Sequence, residues 1–314
     1  MRSRHLLPQF RIAIVGAGAI GLYYGGKLAH FGRDVHFLLR NDYETVRKKG
    51  LRLRSKKENI HVAKVNVYRS TPEIGPCDLV MVAVKTTSNH DLPALLAPLL
   101  GEKTMILTLQ NGLGNEEFLA AQFGAGRILG GICYICLHRT EPGVVECLDS
   151  ARLTIGEFSG HPQPRTHDIA WEFKRSGVVC GVVADLALER WRKLVWNIPF
   201  NGLSVVAGGI DTAKILAGEN LRLLALELMD ETIAIANAAG HPLPTAIALD
   251  QMKRTGLMGD FKPSTLLDYL AGRPLEIEPI WGEPLRRAQS LGLAVPQLEK
   301  LHRQLVSLER AACK

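Results

Sequence analysis

Long apolar runs are missing from this chain. No stretch of about 18 apolar residues, the least that crosses a bilayer as a helix, occurs in its 314 residues. Cysteine is sparse and irregular, at positions 77, 133, 136, 147, 180 and 313, which is no disulfide framework for a chain this long. Cys133 and Cys136 have CxxC spacing but lie in an apolar stretch, and no second CxxC or histidine pair completes a zinc set. They are expected to be small core residues on a strand, and no metal site is expected. Blocks of one charge are also missing. The formal net charge is +7, yet the basic residues are scattered and no basic module interleaved with aromatics appears, which argues against a nucleic-acid partner. A positive balance suits a protein that handles anionic cofactors and carboxylate substrates. The first ten residues, MRSRHLLPQF, are basic without an apolar h-region. A reducing, cytoplasmic compartment with no membrane partner is expected. Internal repeats and low-complexity segments do not stand out.

The chain does have 46% hydrophobic and 22% charged residues, ordinary for a globular protein, and a length that suits two domains. Short apolar runs at 11–15, 34–39, 78–84 and 104–109 read as buried strands, with helices expected at 22–31, 42–49 and 91–100. Residues 51–69 alternate about a charged turn, as a hairpin does. Runs at 128–137 and 144–155 are expected to be late strands of the same sheet. After residue 185 the periodicity becomes helical, over 186–203, 221–239, 245–253, 264–271 and 280–291. The expected fold is an α/β Rossmann domain over 1–184, with a doubly wound, mostly parallel sheet, followed by an all-α domain over 185–314. The long helices are compatible with a homodimer, although no interface stripe is clear.

The first strand runs into Gly16-Ala17-Gly18-Ala19-Ile20-Gly21. A lone GxGxxG is a weak signal, but this one follows a strand, opens a helix and precedes a second strand, as a dinucleotide-binding loop requires. Its helix N-terminus offers unpaired N–H groups to a pyrophosphate. The end of the second strand selects the nicotinamide cofactor. An Asp or Glu there binds a ribose 2′-hydroxyl, whereas Arg40-Asn41 suits a 2′-phosphate, so NADP(H) is expected. Asp42, two residues on, keeps an NAD reading open. Lys193, Asn197 and Asn201, spaced i, i+4, i+8, fall on one helix face, a polar stripe among apolar neighbours that suits a polar cleft. Pro199 removes one ladder bond and is expected to kink that helix and shift Asn201.

The glycine loop, VAVK over 82–85, the QNG turn at 110–112, WRKLVWN at 191–197 and KPS…GRPLEIE over 262–278 occur in that order. Together they resemble the 2-dehydropantoate 2-reductase, or ketopantoate reductase, family, from about residue 11 to residue 310. The resemblance implies NADPH-dependent reduction of 2-dehydropantoate to pantoate. It implies that Lys193 is the general acid, with Glu276 beside it on substrate and cofactor. It further implies that Asn197, Asn201 and Ser264 orient the substrate, and that Lys85 and Asn111 lie near both ligands. Ser264 equally suits a helix N-cap, and Glu276 is separated from Glu278 by motif alone. The chain departs from the family at Trp281-Gly282, where Asn-Gly is frequent, and at 145–149, where a glycine-rich stretch is frequent. Both changes are expected to bear on the substrate pocket. A different 2-oxo acid as substrate, or an NADP(H)-binding sensor without chemistry, are the competing readings.

Overall fold

A computed structural model describes residues 10–148 and 151–312, the side chain of Ala312 excepted. The basic leader over 1–9, Asp149 and Cys313, on which the sequence raised expectations, lie outside the described residues. By the clustering of its internal contacts the chain divides into two compact units. One runs to Asn111 and resumes over Asn115–Leu186; the other takes Gly112–Gly114 and everything from Ala187 onward.

The first unit is built on an eight-stranded sheet. Its strands are β1 (Arg11–Val15), β2 (Asp34–Leu38), β5 (Asn66–Tyr68), β6 (Cys77–Val82), β7 (Leu100–Thr108), β8 (Ile128–Tyr134), β11 (Arg152–Glu157) and β12 (Val179–Val182). They lie in the order β12-β11-β8-β7-β6-β1-β2-β5. Every pairing is parallel except β11 with β8. Parallel strands covered on both faces read as continuous apolar runs, which is why RIAIV and DLVMV are legible as strands. The chain passes from β1 to β2 on one side and returns to β6 on the other. The carboxyl end of β1 is therefore the point where strand order reverses, the usual ligand site of a doubly wound sheet. Helix α1 (Ala19–His30) follows β1, and α2 (Tyr43–Lys49) follows β2. The remaining helices of this unit are α3 (Thr71–Ile74), α4 (Leu92–Leu96), α5 (Asn115–Phe123) and α6 (Pro164–Arg175).

Three expectations need correction here. The hairpin at 51–69 forms as β3 (Leu51–Ser55) and β4 (Asn59–Val62), but it joins β9 (Leu137–Glu141) and β10 (Val144–Cys147) in a separate four-stranded sheet, order β4-β3-β10-β9. The run at 128–137 thus leaves the main sheet after Tyr134, and the run at 144–155 contributes to both sheets. The helix expected over 91–100 is only five residues of α4 between 3₁₀ turns at Thr86–Asp91 and Ala97–Leu99. Pro98 lacks the donor that would continue that helix, whereas Pro93 stands in its first turn, where proline is tolerated. None of the five described cysteines forms a disulfide. Cys133 sits on β8 as a core residue, but Cys136 falls beyond the strand's end. Burial pushes the Cys77 thiol up to about 11 and the Cys180 thiol up to about 12, which keeps both protonated and inert.

The second unit is helical: α7 (Leu186–Val206), α8 (Thr212–Ala217), α9 (Glu219–Ala238), α10 (Ala246–Gly256), α11 (Ser264–Leu270), a π-helical turn at Glu278–Gly282, α12 (Glu283–Ser290) and α13 (Pro296–Ala312). Leu194, Val195, Ile198 and Phe200 of α7 are buried in its core with Leu228, Met229, Trp281 and Leu298. The helix α7 passes through Pro199 as one element. Among the described residues no helix is long and apolar enough to cross a membrane.

Candidate active site

The glycine loop has the geometry of a phosphate cradle. Gly16 lies at φ +102°, and a Cβ on it would stand 2.2 Å from the Val84 nitrogen. No other residue fits where the loop passes this close to the end of β6. A Cβ on Gly18 would meet nothing within 4 Å, so that side of the loop is open. Gly18 caps α1 without a side-chain bond, and no acidic residue stands in the first turn. The early N–H groups of a twelve-residue helix, over Ala19, Ile20 and Gly21, are therefore left to an anion. These residues fit the pyrophosphate of a dinucleotide.

At the end of β2 the two rivals for the ribose part company. Asp42 is buried at 4% exposure. Its Oδ2 accepts the Gly143 N–H at 3.0 Å and faces Arg139 Nη1 at 3.5 Å. That carboxylate is spent on joining α2 to the turn between β9 and β10. Arg40 is exposed, and its guanidinium carries no ion pair or hydrogen bond among the described residues. The structure thus leaves the cation available and takes the carboxylate away, as a 2′-phosphate requires and a 2′-hydroxyl does not.

Lys85 and Asn111, both half-buried, follow β6 and β7 on the same carboxyl edge. Between them lies a buried amide network that the sequence reading passed over. Gln110 Nε2 donates to the Val84 carbonyl at 3.1 Å and to Asn89 Oδ1 at 2.6 Å. Its Oε1 accepts from Thr108 Oγ1 at 3.1 Å. Asn89 Nδ2 donates to Asn115 Oδ1 at 3.2 Å, and Asn115 Nδ2 donates to the Asn111 carbonyl at 2.9 Å. Gln110 therefore ties the loop that carries Lys85 to the loop that carries Asn111. The QNG triplet signals only a turn; nothing local to it names Val84 or Asn89.

In the helical unit α7 presents Lys193 half-buried, with Asn197 at 4% and Asn201 at 1% exposure. The asparagines are not solvated helix-surface residues. Asn201 Oδ1 accepts the Thr265 N–H at 3.3 Å, so Asn201, not Ser264, caps α11. Ser264 is the first residue of α11 and its side chain is exposed. The two candidate glutamates also separate. Glu278 is exposed and engaged by Arg286 Nη1 at 2.6 Å, with His302 Nε2 at 3.7 Å. Glu276 is half-buried and precedes the π-helical turn; such turns cluster at functional sites.

That turn is held on two sides. Trp281 is fully buried and its indole N–H donates to the Ile198 carbonyl at 3.0 Å. Leu113 N–H donates to the Pro279 carbonyl at 2.8 Å. Gly112, at φ +81°, lies so close that a Cβ would stand 2.3 Å from the Pro279 oxygen. Trp281 is thus core that anchors the segment carrying Glu276 to α7. The other departure, at 145–147, is part of β10 in the small sheet.

Among the described residues no group of three or more His, Cys, Asp or Glu is placed to hold a metal ion. The family model for ketopantoate reductase PanE/ApbA matches residues 12–160, and that for its C terminal part matches residues 185–309. The chain is 40% identical to a 2-dehydropantoate 2-reductase of Nostoc sp. over 308 residues, 96% of each chain. It is 34% identical to one from Mesorhizobium japonicum, over 85% of this chain and 88% of that one. The crystal structure of a 2-dehydropantoate 2-reductase from Geobacter metallireducens superposes with a TM-score of 0.92 at 46% identity, covering 96% and 99% of the two chains. The chain therefore belongs to the ketopantoate reductase family of NADP-dependent oxidoreductases, which reduce the keto group of 2-dehydropantoate to the CH–OH group of pantoate.

Proposed function

We propose that this chain reduces 2-dehydropantoate with NADPH and that Lys193 is the general acid of the reaction. The observation that carries the reading is the face of α7, where an amphipathic cation precedes two buried asparagines at helical spacing. NADPH, when bound, supplies a hydride from nicotinamide C4 to the keto carbon. The keto oxygen then gains negative charge, and the Lys193 ammonium stabilises that charge and donates the proton. Glu276, half-buried before the π-helical turn, orients Lys193 or accepts a hydrogen bond from a substrate hydroxyl. Asn201 has its oxygen engaged by α11, so its Nδ2 is the group turned to substrate; Asn197 stands one turn before it. The Ser264 hydroxyl donates to the substrate carboxylate. On the Rossmann unit Gly16, Ala17, Gly18, Ala19, Ile20 and Gly21 bind the pyrophosphate. Arg40 binds the 2′-phosphate, and Lys85 and Asn111 attend the nicotinamide end. Residues 1–184 thus serve as the cofactor domain and 185–314 as the substrate and catalytic domain. The setting proposed is the cytoplasm.

Replacing Lys193 with Ala tests the assignment. The expected loss in kcat is about 10²–10⁴-fold, the usual weight of a positioned proton donor. NADPH affinity, read by quenching of protein fluorescence, is expected to stay within about twofold, an energy change below the roughly 1.4 kcal/mol of a tenfold shift. Undiminished kcat in Lys193→Ala would remove Lys193 from the chemistry.

A further inference from the structure

The strands β2 and β5 are parallel, with Leu38 opposite Tyr68, and the Leu39 N–H donates to the Tyr68 carbonyl at 2.9 Å. The two strands therefore end at one level. Leu39 and Arg69 follow them opposite each other, and Arg40 comes one position beyond Leu39 at the same carboxyl edge, on strands whose axes lie about 5 Å apart. Arg40 turns directly into α2, its carbonyl accepting the Tyr43 N–H at 3.4 Å. The Tyr43 ring in turn receives Arg69, whose guanidinium carbon lies 4.2 Å from the ring centroid. Arg69 Nη2 donates to Glu44 Oε1 at 3.0 Å, and Arg47 Nη2 stands 3.5 Å from the other oxygen of the same carboxylate. The Arg69 hydrogen bond is the main cause that holds the Glu44 carboxyl below its usual range.

We propose that Arg69 is a second cation of the 2′-phosphate site, a specificity-determining partner of Arg40 that is held in place by the Tyr43 ring. This rests on the NADPH reading above. A 2′-phosphate is a monoester of charge near −2, with three strong acceptor oxygens; one arginine neutralises half of it. A guanidinium offers five N–H donors in a planar fork, and Glu44 engages only one end of Arg69. Both side chains of that pair are more than half exposed, so the pair contributes little and yields readily to a dianion. The Tyr43 stack keeps the guanidinium plane ordered while it does so. NADH lacks the phosphate and gains nothing from either arginine.

Isothermal titration of the intact protein with NADP⁺, NAD⁺ and 2′,5′-ADP tests this without turnover. Arg69→Ala is expected to weaken NADP⁺ and 2′,5′-ADP about tenfold, the scale of one partly exposed charge-assisted contact. NAD⁺ binding is expected to be unchanged. Arg69→Lys, which keeps the charge without the fork or the stack, is expected to fall between. Unchanged NADP⁺ binding in Arg69→Ala, or an equal loss for NAD⁺, overturns the proposal. If wild-type protein prefers NADP⁺ and only Arg40→Ala abolishes the preference, Arg69 alone is wrong. If wild-type protein shows no preference, the NADPH reading falls and the proposal with it.

Discussion

The side-chain oxygen of Asn201 is committed to the Thr265 N–H, so the substrate role proposed for Asn201 and a role in stability fall on one residue. Asn201→Ala is expected to destabilise the protein by about 1 kcal/mol, the cost of a lost helix cap, and to raise KM for the keto acid. Asn201→Asp keeps an acceptor for Thr265 but loses the Nδ2 donor. It is expected to recover most of the melting temperature while KM stays high, as calorimetry and steady-state kinetics on the two variants would show. Equal recovery of both would mean that Asn201 does nothing but cap. The i, i+4, i+8 stripe of Lys193, Asn197 and Asn201 is legible in the sequence because helical periodicity is local. The cap is not, because its partner is 64 residues away. The same limit applies to Arg40 and Asp42. They are two positions apart in the chain, and the Gly143 N–H, 101 residues on, is what disqualifies the carboxylate.

At the scale of elements, the loops after β6 and β7 are joined by the Gln110 amide. Removing it leaves the partly buried Val84 carbonyl and Asn89 short of a donor, at a cost of about 1 kcal/mol or more. Gln110→Ala is therefore expected to lower thermal stability and to reduce kcat/KM for NADPH about tenfold, because Lys85 and Asn111 lose their common brace. Wild-type NADPH kinetics in a destabilised Gln110→Ala would limit the network to holding the fold. Strands with continuous apolar runs were legible, since burial on both faces leaves its mark on composition. Their partners were not: the start of the run at 144–155 reads as a late strand of the main sheet, yet it forms β10, which pairs with β3 of the hairpin at 51–62 and with β9. Periodicity reports which face is buried and not which strand lies beside it. Helix α7 shows the converse, a proline carried inside one continuous 21-residue element. The apolar face of α7 packs into the helical core, and that tertiary packing outweighs the local cost of one missing donor.

Over the whole molecule, the two units carry different halves of one reaction, by the reading advanced above. On that reading the Rossmann unit supplies the glycine loop and the arginines after β2 and β5, and the helical unit supplies Lys193 as the proposed proton donor with Asn197, Asn201 and Ser264 as the proposed substrate groups. A sensor would need the first set and have no use for Lys193 beside buried asparagines. A reductase of another 2-oxo acid would need both, with a pocket of different size, and one methylene is worth only about 1–3 kcal/mol in such a pocket. The most direct measurement is therefore steady-state kcat/KM for 2-dehydropantoate, with NADPH and with NADH, against a panel of 2-oxo acids of graded bulk. The account predicts that 2-dehydropantoate with NADPH gives the highest value, with a marked loss on changing to NADH. Higher kcat/KM for another 2-oxo acid, or no turnover of any acid in the panel, would contradict it.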